Sequence, residues 1–258
     1  MNNFFSFRRF CRLFVKHTRE HIRTYLMSLC VLLGVLVLAG FFFFFIIPDV
    51  TDAGFQEASY VIMLLIAGSI FTSTIFQDFG DRARAIPALT LPASVFEKFL
   101  VGWLYSYVIF ILVYTAVFYL AVSGLLAMKN WDSGKHDDFF SLWKGEVALA
   151  FVFFSVLHGV ALFGAAHFRK LHFIKTGVIF FILLILALVS NTLFVKAITG
   201  IPVIKMAIPF GFAHFYVNDR DYSAVVAGRG PLVDLGTLMA AAVLLWVAAY
   251  YKLKERQV

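Results

Sequence analysis

The sequence predicts an all-α polytopic membrane protein with six transmembrane helices and both ends in the cytoplasm. Three observations predict it. Apolar residues make up 62% of the 258 and charged ones only 14%, whereas about a quarter of a soluble domain is charged. The charges fall into short clusters separated by apolar runs of about 20 residues, the length that crosses hydrocarbon. Lysine and arginine are distributed unequally between alternate connections.

The apolar runs are Tyr25 to Ile47, Ala58 to Phe76, Phe99 to Ala127, Val147 to Phe168, Phe173 to Phe194 and Leu232 to Tyr251. An even number of spans puts both termini on one side. That side carries fifteen of the 22 basic residues and the other seven. The positive-inside rule therefore makes it cytoplasmic, and the first external connection, which has no Lys or Arg but holds Asp49, Asp52 and Glu57, agrees. The first run is too long for a cleaved signal and lacks a small-residue cleavage site, so it stays as a span.

The formal charge of +7 lies beside the apolar runs, where anionic lipid attracts it, and is not a nucleic-acid footprint. Cys11 and Cys30 have neither the spacing of a disulfide framework nor that of a metal site.

Residues 1–24 form a first unit, an amphipathic interfacial helix ahead of the six-helix transmembrane domain, 25–258. Phe4, Phe7, Phe10, Cys11 and Phe14 recur at helical spacing, roughly opposite Arg8, Arg12, Lys16, Arg19 and Arg23. Such a helix puts its phenylalanines in the acyl boundary, with Arg8, Arg12 and Lys16 among lipid headgroups. Between the fifth and sixth runs, 195–230 is apolar but broken by Gly200, Pro202, Lys205, Pro209 and Gly211. It reads as re-entrant or interfacial.

None of the six runs has an Asp, Glu, Lys or Arg near its middle. Ion-coupled carriers bind their ion at depth through such residues, so the driving energy is expected from another protein. His158 and His167 lack evident partners for haem, metal or proton relay and read as hydrogen-bonded packing residues. No catalytic constellation is present, and Gly134-Lys135-His136 is not a phosphate loop. No catalytic residue, metal ligand or resident cofactor is expected.

The loop 77–98 carries the most local information. Ser94 followed by Glu97 is a capping box, which starts the third helix before the bilayer. Pro92 keeps Leu91 out of helix and isolates a short helix over Asp81 to Ile86.

In these features the chain resembles the permease subunit of a bacterial ABC transporter of the ABC-2 exporter type. The resemblance spans nearly the whole chain and is sharpest at Leu89-Thr90-Leu91-Pro92-Ala93-Ser94 with Glu97-Lys98, similar to a Leu-Pro-x-Ser-x-x-Glu-Lys pattern in bacterial members. It implies a multi-pass protein of the bacterial cytoplasmic (inner) membrane, paired with a second permease chain, identical or different. It also implies a separate ATP-binding subunit, which holds the ATP and Mg, docked on a coupling loop. Mapped here, the coupling residues are Asp78, Asp81, Arg82, Arg84 and Ile86, with Ser94 and Glu97 fixing the loop. Family members line their pathway with the second and fifth spans, which marks Ser69, Thr72, Ser73, Ser190 and Asn191. Hydroxyls bonding back to their own helix explain the first three equally well. The alternatives are a secondary or passive transporter acting without an ATPase, and an integral-membrane enzyme or assembly factor.

Overall fold

The computed structural model describes residues 5–46, 52–80, 94–133, 139–142, 145–168, 171–200, 204–207, 212–217, 220–225 and 231–255. Helix α1 covers Phe7–Phe41 and continues through a π-helical turn, Phe42–Ile46. α2 covers Ala53–Gly80. The third span begins as α3, Val95–Trp103, passes through a π-helical segment, Leu104–Ile109, and ends as α4, Phe110–Ser133. Then come α5, Gly145–His167, α6, His172–Thr199, and α7, Pro231–Glu255. Six of these helical runs are long and apolar enough to cross a membrane. The protein is an all-α, multi-pass membrane protein with one small sheet outside its bundle.

The bundle is organised around α5, with α2 and α7 packed along it. Hydrocarbon supplies no hydrophobic drive between helices, so close packing does more of the work, and small residues permit it. Gly68 of α2 lies under the Phe154 ring of α5, and a methyl group there would collide with it. On the far side Gly159 faces Leu245 of α7, where an added Cβ would come within 2.9 Å of the leucine Cβ. The core has two layers. One, toward the side carrying the chain ends, contains Ile75, Phe99, Tyr105, Leu162, Ala249 and Leu253. The other contains Tyr60, Leu64, Tyr114, Phe118, Phe140 and Phe154.

α6 is different: from Phe173 to Thr199 none of its residues is buried. Its leucines, isoleucines and phenylalanines face outward on all sides, as in a helix whose solvent is lipid or another chain.

Two expectations change. The amphipathic helix of residues 1–24 is not a separate unit, because α1 runs through that boundary without a break. At 1.5 Å per residue its 40 helical residues extend about 60 Å, twice the hydrocarbon thickness. The charge change at Arg23 marks where the helix enters the bilayer, not where it ends.

The segment 195–230 is divided. It stays helical to Thr199 and is closed by Gly200 in the left-handed conformation (φ 66°). An antiparallel sheet follows: β1, Ile204–Ala207, β2, Phe212–Val217, and β3, Arg220–Val225, in the order β1-β2-β3. Phe212 pairs with Val225 and Val217 with Arg220. Among the described residues nothing pairs with the outer edge of β3. An open, lipid-exposed sheet edge does not occur in hydrocarbon, so the sheet fits the interfacial alternative better than the re-entrant one.

Candidate functional site

The head of the third span is where the loop 77–98 ends. Ser94 is extended (φ −69°, ψ 155°), and its Oγ accepts the Glu97 N–H at 3.1 Å. Glu97 returns the contact, its Oε2 accepting the Ser94 N–H at 3.0 Å. Both halves of the capping box are therefore formed.

Glu97 does more than the box requires. It is fully buried, and its other oxygen, Oε1, accepts the backbone N–H of Ser6 at 2.7 Å. The same oxygen accepts from the Arg9 guanidinium, through Nε at 3.3 Å and a terminal nitrogen at 3.1 Å. Ser6 is the cap residue of α1, and its own hydroxyl makes no capping bond. One carboxylate thus sits at the positive ends of two helices, where negative charge is stabilised and backbone N–H groups lack intrahelical partners. The Phe5 ring meets Phe96 edge-on, with centroids 6.1 Å apart.

From that junction the apolar face of α1 lies on protein. Phe10, Leu13, Phe14 and Tyr25 pack on the layer around Phe99 and Tyr105. Tyr105 stacks on Phe14 at 4.9 Å and on Tyr25 at 5.3 Å. Thr18 gives its hydroxyl proton to the Phe14 carbonyl at 2.8 Å, so Tyr105 is the donor in its contact with Thr18. For Phe10 and Phe14 the expected burial in lipid is accordingly corrected, whereas Phe7 is exposed and Phe4 lies outside the described residues. Helical spacing identifies the apolar face but not what covers it. Arg8 and Arg12 are exposed, while Lys16 is partly exposed with its ammonium 3.6 Å from Glu20.

About 13 Å further along the third span, by helical rise from Glu97 to Ser106, lies a neutral buried knot. His158 is fully buried. Trp246 Nε1–H donates to its Nδ1 at 2.9 Å, and an indole nitrogen can only donate. The ring proton is therefore on Nε2, which lies 2.9 Å from Ser106 Oγ. Ser106 in turn donates to the Gly102 carbonyl at 2.9 Å. Beside it Tyr107 lies 2.6 Å from Ser155 Oγ, whose proton goes to the Phe151 carbonyl at 2.8 Å, so the tyrosine donates. The π-helical segment puts the consecutive residues Ser106 and Tyr107 against the same neighbour, α5. Every donor chain ends on a backbone carbonyl, which leaves His158 a packing residue joining three helices. Sequence spacing did not reveal its partners, which lie 52 and 88 residues away.

The proposed pathway residues are not brought together. Ser69, Thr72 and Ser73 return their protons to the carbonyls of Leu65, Gly68 and Ser69 at 2.7, 2.7 and 2.9 Å. Thr72 and Ser73 are buried. Ser190, exposed, bonds back to Ala187 at 3.2 Å. Asn191 donates to the Ala207 carbonyl at 2.9 Å, and Thr192 accepts the Ala207 N–H at 3.2 Å. Asn191 thus docks β1 on α6. By helical rise the α2 hydroxyls lie toward the side of the chain ends and Ser190 and Asn191 toward the opposite side.

Of the residues expected to couple to a partner, Asp81, Arg82, Arg84 and Ile86 lie outside the described residues. Asp78 is on the last turn of α2, where only the backbone is described. Among the described residues no group of three or more His, Cys, Asp or Glu could hold a metal ion.

These features define a six-span helical membrane protein whose third span is pinned at its head to the start of the first. The chain matches no protein-family model, no curated protein and no solved structure at a significant level.

Proposed function

We propose that this chain is the membrane-spanning permease subunit of an ATP-driven transporter of the ABC-2 exporter type. It works with a second permease chain and a separate ATP-binding subunit in the bacterial inner membrane. The observation that carries the proposal is the Ser94–Glu97 box at the exit of the loop 77–98. A loop that transmits force needs a fixed end, and here the end is held by four hydrogen-bond donors on one buried carboxylate.

The charge distribution supports it. The buried charged side chains among the described residues are Glu57, Glu97 and Lys98, all within a turn or so of a helix start. The buried mid-span histidine is neutral and fully bonded. Deep in the described spans no Asp, Glu, Lys or Arg is buried, which supports a partner's ATP as the energy source.

The test is copurification in mild detergent, followed by reconstitution of both subunits in vesicles. Replacing Arg82, Arg84 and Ile86 together is expected to abolish docking or to uncouple hydrolysis from transport, with the membrane fold intact. Transport by this chain alone, without any ATPase, overturns the proposal.

One observation favours the secondary-transporter alternative. Glu57 on the first turns of α2 is buried, and its Oε1 has no hydrogen-bond partner among the described residues. If Glu57 binds a coupling proton, Glu57→Gln eliminates gradient-driven uptake in vesicles that contain only this chain.

A further inference from the structure

We infer that Glu97 makes the start of α1 and the end of the loop 77–98 one mechanical unit, so that force arriving at the loop enters the bundle through two helices. Glu97 is then a positioning residue. The drive is supplied by the proposed ATP-dependent reading, but the link itself does not depend on it.

The geometry supports the link in three ways. First, the bonds are divided between elements: Oε2 holds Ser94, where the loop ends, while Oε1 holds Ser6 and Arg9, where α1 begins. A capping box alone would need only the first. Second, Glu97 is fully buried whereas the Arg9 side chain is 31% exposed. A buried carboxylate without its donors would be costly, so displacing the loop drags α1 with it. Third, the contact continues: Phe5 meets Phe96, Phe14 and Tyr25 flank Tyr105, and Gly40 lies against Leu125. Motion of α1 at its start is thereby passed along the third span.

The backbone bonds also make a distinctive demand. Ser6 N–H and Ser94 N–H need an acceptor, which a guanidinium cannot be. Exchanging the charges, Arg9→Glu with Glu97→Arg, restores an ion pair but not the link. Glu97→Gln keeps one acceptor oxygen and should retain part of it.

Cys11 is exposed on α1 and offers a probe. A spin label on Cys11 in full-length protein carrying Cys30→Ser, in lipid nanodiscs, reports the mobility of the start of α1 without any partner. Glu97→Ala is expected to mobilise the label strongly, the charge exchange nearly as much and Glu97→Gln partly. Ser94→Ala breaks the box but leaves Oε1 engaged, and should leave the label restrained. The second arm is transport per ATP hydrolysed with the ATPase subunit present, expected to fall several-fold in Glu97→Ala and in the charge exchange. An unchanged label in folded Glu97→Ala overturns the link. A mobilised label with unaltered coupling overturns its role in transmission. Failure to find any ATPase removes only the second arm, and so is distinguishable from failure of the link.

Discussion

Two buried polar clusters hold this bundle together, and they are chemically opposite. The junction at Glu97 is charged, lies at helix ends and uses a carboxylate to collect donors from elements 91 and 88 residues away in sequence. The knot at His158 is neutral, lies within the span and disposes of each proton on a backbone carbonyl. The difference follows from depth. Near a helix start, unpaired N–H groups and a helix dipole stabilise an anion. Deep in hydrocarbon a net charge is expensive, and a directed chain of neutral hydrogen bonds joins helices without one.

The largest effect is expected at the neutral knot. His158→Leu removes the acceptor for Trp246 N–H where no water can replace it, a loss of about 2 kcal/mol, read as thermal unfolding in detergent. Adding Trp246→Phe should recover much of that loss, since removing both partners leaves nothing unsatisfied. No recovery would mean that the two residues act through packing alone.

Salt separates the clusters next. At about 1 M ionic strength the screening length falls to roughly 3 Å, and the partly exposed Arg9 should be released from Glu97 part of the time. Trypsin cleavage at Arg8 and Arg12 is expected to rise about threefold, while the stability difference between wild type and His158→Leu stays constant.

The smallest effect belongs to hydroxyls in neither cluster. Ser69→Ala with Ser73→Ala should change stability by less than about 0.5 kcal/mol, because each bonds only to its own helix. A large loss of transport in this folded variant would restore them as pathway residues.

What was legible in the sequence follows the range of the interactions. Six spans could be read from hydropathy, and Ser94 with Glu97 from a three-residue spacing, because both are local. The Arg9 contact could not, since no spacing rule connects residues 88 apart. The unbroken α1 was hidden by the change in composition after Arg23, which alters the helix's surroundings but not its propensity. The strands in 204–225 were obscured because glycine and proline among apolar residues resemble a broken membrane segment. The aromatic and β-branched residues of Phe212 to Val217, followed by the turn-favouring pair Asn218-Asp219, were the available signal.

Asn191 and Thr192 have a consequence for assembly. β1 is the strand on one border of the sheet, and both backbone groups of Ala207 on it are taken by α6. At that residue the border cannot recruit a strand from a neighbouring molecule, the usual hazard of an unprotected edge. Strand addition along β1 is thereby hindered at Ala207, whereas among the described residues nothing guards β3, so crowded copies of the protein meet unequal obstacles on the two borders.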